Sequence, residues 1–319
     1  RYISSVPEFQ AYFSHGKRTA PAQPVVRFET APGEQAQFDW KENIKYVTKD
    51  GEILYINVAV LLLSYSRFRT FFLSISKTQS FLLSFLTESF EKMGGVPKTI
   101  LTDNMSTIMD HARTRYSKGI INERFDHFTK DFGFKLIPCI AGSPKTKGKV
   151  ETSMKWLDEI HAYQGQFDYV ELHTFIQSLC DRINHSYHQG TGKIPILAFE
   201  QEKNLLQPLP RKQIRDSYKV HHKFVKVNPS SMITYKTNQY SVPTEFKGKT
   251  VGLQIYDDHI HIYYNTSMVA RHPISQAKLN YDPLHYKEIL SKNARHDEVD
   301  INDWAKRNLM AIGEVYKNE

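Results

Sequence analysis

Residues 35–40 read Gln35-Ala36-Gln37-Phe38-Asp39-Trp40, an alternation of polar and apolar side chains that is typical of a β-strand. Two further strand candidates follow, an apolar run from Ile53 to Leu63 and a shorter one from Phe68 to Ile75. Three consecutive strands predict an antiparallel meander. Asp39 stands in the middle of the first strand, where an ionised carboxylate is costly unless it binds a cation or a basic partner.

Helical and extended segments alternate after the meander. A helical stripe from Ser80 to Met93 precedes a short buried strand, Lys98 to Thr102, and a second helix, Asn122 to Phe132, precedes the strand Phe134 to Ile140. The order is βββαβαβ followed by helices. It predicts the α/β class, with a mixed five-stranded sheet flanked by helices.

Turn residues and prolines divide the chain into five segments. Residues 1–34 contain four prolines and few periodic apolar positions, which indicates a linker. Short strands at tight spacing after the Pro208-Leu209-Pro210 segment predict a β-barrel of about five strands. The predicted boundaries are 1–34 for the lead-in, 35–207 for the core with its following helices, 208–217 for a linker, 218–275 for a small β-barrel DNA-binding domain, and 276–319 for a helical or irregular tail.

Positive charge favours an anionic partner such as nucleic acid. The chain has 42 Lys and Arg against 34 Asp and Glu, a net charge of +8 and a pI near 9.2. Several of these cations cluster around Glu151 or follow the core, and a solvated helix start is the alternative interpretation for them. The candidate DNA-binding residues are Lys145, Lys147, Lys149, Lys155, Arg211, Lys212 and Arg215.

Several other classes of protein are disfavoured. Two cysteines form no disulfide framework, which fits a reducing cytoplasm, and the 14 histidines show no paired spacing for zinc. The longest apolar run, Val58 to Leu63, is too short to span a membrane, and no signal peptide is evident. No phosphate-binding glycine loop indicates an ATP site. Because the chain begins with Arg1, we expect it to be a fragment.

Three acids from distant positions are predicted to converge. Asp103 ends a buried strand, at the kind of strand end where α/β sheets collect ligands. Glu151 lies in the first turns of the helix that follows Gly142-Ser143-Pro144. Together with Asp39 these carboxylates suit hard divalent cations, and two such ions about 3.5–4 Å apart support phosphoryl transfer. Taken singly, Asp103 can cap a turn and Glu151 can pair with a neighbouring lysine.

The segments around these acids resemble the three motifs of retroviral-integrase-like DDE transposases, and especially the IstA-type transposases of bacterial two-gene insertion sequences. The matching segments are Gly33-Glu34-Gln35-Ala36-Gln37-Phe38-Asp39-Trp40, Leu101-Thr102-Asp103-Asn104 and Ser143-Pro144-Lys145-Thr146-Lys147-Gly148-Lys149-Val150-Glu151. The resemblance runs from about residue 20 to about residue 275. It implies an RNase H-like core in which Asp39, Asp103 and Glu151 are catalytic residues and ligands of two Mg²⁺ or Mn²⁺ ions.

Later segments extend the resemblance, with one departure. The segments from Asn184 to Pro195 and from Asn238 to Pro243 resemble the helix after the catalytic Glu and the SH3-like C-terminal barrel of these enzymes. The interval between the second Asp and the Glu is longer than in retroviral integrases, which indicates extra chain around Met105 to Ile121. Glu123 and Asp126 compete for the role of the third acid, although neither follows Gly-Lys-Val.

The activity implied is 3′-end cleavage of an insertion sequence followed by strand transfer into target DNA. The resemblance also implies a separate AAA+ ATPase helper and at least a dimer on DNA, and no membrane is involved. Two alternatives stay open at this point. One is an RNase H-like nuclease that uses the same metal chemistry without strand transfer, and the other is a catalytically inactive DNA-binding module.

Overall fold

Residues 29–140, 148–293 and 298–315 are described by the structure, which is a computed structural model; residues 148, 149, 151, 152, 293 and 298–300 are described only by their backbone. Most of the predicted lead-in therefore lies outside the described residues. In chain order, the elements up to residue 202 are β1 (Gln35–Val47), β2 (Ile53–Leu63), β3 (Arg69–Ser74), α1 (Gln79–Met93), β4 (Thr99–Thr102), β5 (Met109–His111), β6 (Ile120–Ile121), α2 (Glu123–Phe132), β7 (Lys135–Pro138), α3 (Gly148–Trp156), α4 (Tyr169–His185) and α5 (Pro195–Glu202).

One mixed sheet of five strands organises this part of the chain, in the order β3-β2-β1-β4-β7. β1, β2 and β3 form the predicted antiparallel meander. β4 and β7 add to β1 in parallel, after crossovers that contain α1 and α2. The fold class predicted from the sequence is confirmed. Because β4 and β7 run parallel to β1, the carboxyl ends of all three strands point toward the same edge of the sheet.

Alternate residues of the strands face two separate hydrophobic cores. Phe38 and Trp40 of β1 face the first core, which α1 and α2 cover with their phenylalanines. Val58 and Val60 of β2 face the second core, which α3 and α4 cover. A strand exposes successive side chains on opposite faces, so Asp39, between Phe38 and Trp40, belongs to the face covered by α3 and α4.

Local signals explain where the main helices begin and end. The Thr78 hydroxyl accepts from the Phe81 backbone N–H at the start of α1, which ends at Gly94 with a φ of 71°. Asp168 and Glu171 form a reciprocal capping box at the start of α4. α1 begins at Gln79, whereas the apolar pattern predicted it from Ser80.

The second part of the chain contains more strands than its sequence pattern predicts. Its elements are α6 (Lys212–Ser217), β8 (His221–Lys226), β9 (Met232–Tyr235), β10 (Asn238–Ser241), β11 (Thr250–Ile255), β12 (His259–Tyr264), β13 (Ser267–Pro273), β14 (Leu279–Asn280), α7 (Pro283–Asn293) and α8 (Glu298–Val315). The strands form two sheets, β13-β12-β11-β8 and β14-β10-β9, around one apolar core. Seven strands replace the predicted five or so.

Two predicted boundaries are therefore corrected. The segment 208–217 contains helix α6 and is not only a linker, and the barrel continues past residue 275 because β14 pairs with β10. α6 has no buried residue, so it lacks the apolar stripe that would have revealed it. β14 is two residues long, and pairing with β10 alone defines it. In the tail, α8 includes the predicted helical stretch from Ile301 to Ile312.

The barrel packs directly on the core. The rings of Tyr169 and Phe224 lie 3.7 Å apart, and the Thr250 backbone N–H donates to the Glu52 carboxylate over 2.8 Å. A Cβ at Gly252 would come within 2.7 Å of Ile75 Cδ1, so the Ile75 side chain would have to shift to accept a larger residue there. These interactions fix the barrel against the meander and α4.

Candidate active site

Asp39 and Asp103 lie on neighbouring parallel strands. Gln37 of β1 is the register partner of Leu101 of β4. Asp39 follows Gln37 by two residues, and Asp103 follows Leu101 by two residues. Because side chains repeat every two residues along a strand, the two carboxylates belong to the same face of the sheet. Neighbouring strands are about 4.8 Å apart, so the two acids start from closely spaced backbones.

The two acids differ in exposure. Asp39 is half-buried, and its Oδ1 accepts from the Trp40 backbone N–H over 2.9 Å. Asp103 is exposed and follows the last residue of β4. Asp39 is therefore held within β1. Asp103 lies exposed after the end of β4, where a bulky substrate can approach.

The start of α3 is bonded to β1. The Gln37 Oε1 atom accepts from the backbone N–H of Val150 over 3.1 Å, and both residues are buried. Glu151 is the next residue of α3. The side chain of Glu151 lies outside the described residues, but its backbone is held beside the strand that carries Asp39, on the same face of the sheet.

A buried arginine supports the same helix. Arg69 of β3 is 1% exposed, and its Nη1 donates to the Ser153 hydroxyl of α3 over 3.1 Å. Burial lowers the pKa of its guanidinium to about 10. The Asn184 side chain of α4 bonds both the backbone N–H and the carbonyl of Arg69. β3, α3 and α4 are thus joined by polar contacts within the second core.

Sequence reasoning did not identify these supporting residues. The sequence pattern places Gln37 and Arg69 within predicted strands and indicates no further role for either side chain. A usable signal was present in both cases, because a long polar side chain inside a buried strand requires a hydrogen-bond partner. The partners themselves come from segments more than 80 residues away, so the sequence does not identify them.

The extra chain between Asp103 and Glu151 folds as a hairpin of β5 and β6. Asn104 joins this hairpin to the edge of the sheet, because its Nδ2 donates to the Cys139 carbonyl and its Oδ1 accepts from the Arg113 backbone N–H, both over 2.7 Å. Asn104 therefore connects the end of β4, the end of β7 and the hairpin.

The competing acids Glu123 and Asp126 belong to a different face. Both are on α2, whose Phe125 and Phe128 pack in the first core, on the side of the sheet opposite to α3. The Asp126 carboxylate also lies 2.6 Å from Lys130 Nζ. The position of α2 favours Glu151 over these two residues as the third acid.

The donor atoms suit a divalent metal ion. Asp39 and Asp103 supply carboxylate oxygens from one face of the sheet, and hard cations such as Mg²⁺ prefer oxygen ligands. Among the side chains that the structure describes there is no group of three His, Cys, Asp or Glu residues able to hold a metal ion. The Glu151 side chain is outside that set, and the backbone of α3 lies on the same face of the sheet as Asp39.

The candidate DNA-binding residues have different environments. Lys155, Arg211 and Lys212 are exposed, whereas Arg215 is half-buried and its Nη1 lies 2.7 Å from Glu91 Oε1. The predicted contacts Lys145 and Lys147, and the side chain of Lys149, lie outside the described residues. None of the helices in the described ranges is both long and apolar enough to cross a lipid bilayer.

Two family models match the chain in the regions where these features lie. The integrase core domain matches residues 29–144, and the C-terminal domain of Mu transposase matches residues 217–280. The second match ends at the strand β14, in agreement with the corrected limit of the barrel.

Among solved structures, a chain of the simian T-cell lymphotropic virus intasome in complex with PP2A regulatory subunit B56 gamma is similar over 79% of this chain and 82% of that chain, with 15% identity and a TM-score of 0.43.

Curated relatives extend over most of the chain. The transposase for insertion sequence element IS232 of Bacillus thuringiensis subsp. berliner is 61% identical over 100% of this chain and 74% of its own length. A putative transposase for IS5376 of Geobacillus stearothermophilus is 33% identical over 75% of this chain and 58% of its own length. The transposase for IS21 of Pseudomonas aeruginosa is 30% identical over 83% of this chain and 67% of its own length.

These relatives and the integrase core agree with the RNase H-like strand order described above. They also imply dependence on a divalent metal and a DNA substrate. With identity of 61% across its whole length to one insertion-sequence transposase, this chain belongs to the IS21-type, IstA-like family of DDE transposases and is a DNA transposase.

Proposed function

We propose that Asp39, Asp103 and Glu151 hold two divalent cations, Mg²⁺ in the cell, and that the chain uses them to cut the 3′ ends of an insertion sequence and join those ends to target DNA. The observation that carries this proposal is the placement of Asp39 and Asp103 on one sheet face, beneath the helix that contains Glu151. Bound cations would activate the attacking oxygen and stabilise the leaving oxygen of the phosphodiester.

The protein contributes position and charge. Asp39 lies on β1, and Gln37 and Arg69 bond Val150 and Ser153 of α3, which supports a constant position of this helix relative to the sheet. Hydrolysis at an element end frees a 3′-hydroxyl. That hydroxyl then attacks a phosphodiester of the target, and the target strand leaves with its own 3′-hydroxyl.

Several basic residues are proposed to hold the DNA backbone. Lys155 lies on α3, four residues after Glu151, and Arg211 and Lys212 lie before the barrel. Lys145, Lys147 and Lys149 precede Glu151 and are proposed to contact phosphates close to the reacting bond. Arg215 was included among these contacts, but its ion pair with Glu91 favours a structural role.

We further propose that the transposase acts as at least a dimer, with each subunit holding one element end, and that an AAA+ ATPase serves as its helper. Joining two ends to one target requires two sets of catalytic acids in one complex. The location proposed is the cytoplasm, where bacterial DNA is found.

A strand-transfer assay tests the proposal. Pre-cleaved labelled ends, target DNA and Mg²⁺ or Mn²⁺ are incubated with the complete transposase, with and without the helper. Joined product is expected from the unaltered protein and is expected to be lost in Asp39→Asn, Asp103→Asn and Glu151→Gln. Nicking without joining would replace the proposal with a nuclease, and intact DNA binding without any reaction would replace it with a binding module.

A further inference from the structure

The hairpin of β5 and β6 extends from the edge of the sheet that carries Asp103. Its tip, residues 111–119, contains Arg113, Arg115 and Lys118 and no acidic residue. Tyr116 lies at the tip and is 99% exposed, the highest value among the large apolar or aromatic side chains that the structure describes as exposed. Tyr116 therefore presents a fully exposed aromatic ring beside two exposed cations, Arg115 and Lys118, a combination that suits phosphate contacts and base stacking.

Hydrogen bonds give the tip a defined conformation. The Thr114 hydroxyl accepts from the backbone N–H groups of Tyr116 and Ser117, and the Thr114 N–H donates to the Ser117 carbonyl. Gly119 has a φ of 75°, and a Cβ there would lie 2.8 Å from the His111 carbonyl oxygen. These bonds therefore hold the backbone of Tyr116 in a defined turn.

The base of the hairpin is joined to the active-site edge. Met109 is buried in the first core, and the Arg113 guanidinium donates to the Pro138 carbonyl at the end of β7 over 3.0 Å. The backbone N–H of Arg113 donates to Asn104, the residue after Asp103. A molecule held at the tip thus lies next to the strand end that carries a catalytic acid.

We infer that this hairpin captures target DNA, with Arg115 and Lys118 on its phosphates and Tyr116 stacked on a base at a distorted step. The inference rests on the proposed function and adds a target-binding element to it. Phosphate contacts and stacking are independent of sequence, because every nucleotide has a phosphate and a π-face. They suit a target, whose sequence changes with each insertion, better than an element end, whose sequence is constant.

The test compares end cleavage with strand transfer in the complete transposase. Tyr116→Ala is expected to lower joining to a plasmid target roughly five- to hundred-fold, the range that loss of one stacked base implies, and to leave cleavage of element ends unchanged. Tyr116→Trp is expected to restore joining. Tyr187→Ala removes another exposed tyrosine, outside the hairpin, and is expected to behave as the unaltered protein.

A binding measurement separates this inference from the proposed chemistry. In EDTA, the double variant Arg115→Ala/Lys118→Ala is expected to reduce the slope of log K against log salt for plain duplex DNA by about 1 to 2. Absence of cleavage and joining in the unaltered protein would overturn the proposed function, while this slope would still test the hairpin. Normal joining by Tyr116→Ala, an equal loss of end cleavage, or an unchanged slope would overturn the inference.

Discussion

Asp39 of β1 and Asp103, the residue that follows β4, each lie two positions beyond the register pair of Gln37 and Leu101. The pairing places both carboxylates on one face although 64 residues separate them in the chain. Carboxylates that share one site repel each other when no cation is bound. If Asp39 and Asp103 hold a cation as proposed, the bound ion is expected to stabilise the fold.

The first prediction follows from that repulsion. Mg²⁺ or Mn²⁺ is expected to raise the melting temperature of the protein, because an ion that binds only the folded state stabilises it by about 2.7 kcal/mol at a hundred times its Kd. Asp39→Asn and Asp103→Asn are expected to lose most of this shift. Asp303→Asn, an exposed acid on α8, is the matched control and should keep it. Equal shifts in all variants, measured by calorimetry, would contradict the proposed metal ligands.

The second prediction concerns the support of α3. Gln37→Leu removes the acceptor of the Val150 N–H and is expected to cost about 1–3 kcal/mol of unfolding free energy. Because the same bond holds the helix that contains Glu151, kcat for strand transfer should fall while KM for DNA stays constant. Gln35→Leu is the control, since the Gln35 side chain accepts from the Ser64 hydroxyl instead of from the α3 backbone. A similar loss of kcat in both variants would show that stability alone is responsible.

The third prediction concerns pH. Burial, with a smaller effect from His221, lowers the pKa of His222 to about 4 from an ordinary value of 6.5. Its ring lies 4.8 Å from that of Phe81, where the barrel meets α1. The unfolded chain binds the proton first as pH falls, so this contribution to stability is complete above pH 6.5 and is lost between about pH 6.5 and 4.

The loss is at most on the order of 3 kcal/mol, at about 1.4 kcal/mol for each pKa unit. Urea unfolding between pH 4 and 7 measures it. His222→Phe should flatten the dependence over this range, whereas His221→Gln, which replaces the exposed neighbour, should keep most of it. If His222→Phe and the unaltered protein lost stability in parallel, another group would be responsible.

The fourth prediction concerns a buried carboxylate in α5. Glu202 is 0% exposed, and its two oxygens accept from the backbone N–H groups of Gly33 over 2.9 Å and Ser66 over 3.1 Å. Glu202→Gln turns one acceptor into a donor that faces an N–H group, so we expect a loss of about 1–3 kcal/mol. Glu200→Gln, on the exposed side of the same helix, should change stability by less than about 0.5 kcal/mol. Chemical denaturation of the two variants gives the comparison.

The fifth prediction separates DNA contacts from internal ion pairs. Lys212→Ala is expected to reduce the salt slope of DNA binding by about 1 without a change in melting temperature. Arg215→Ala breaks the ion pair with Glu91, so it should lower stability by about 1 kcal/mol and leave the slope unchanged. The opposite pattern would show that Arg215 reaches DNA.

Much of the core and of the candidate site was predictable, for identifiable reasons. Strands β1 to β4 and helix α1 have strong periodic patterns. Asp39 and Asp103 lie within or directly after a strand rich in apolar residues, where an ionised carboxylate is costly unless it binds a partner. The barrel was harder because β14 has only two residues and is defined by its pairing with β10, about 40 residues earlier in the chain. Helix α6 was missed because it buries nothing.

The sequence by itself determined the fold class and the order of the five core strands through local periodicity, and it identified the three proposed acids through short motifs that resemble a known family. The tertiary structure decided which side chains support them. Hydrogen bonds join Gln37 to Val150, Arg69 to Ser153 and Glu202 to Gly33, and the partners are 84 to 169 residues apart in the chain. The physical reason is that a buried polar group must be satisfied by whatever partner folding brings within about 3 Å, and local sequence carries no information about that distance.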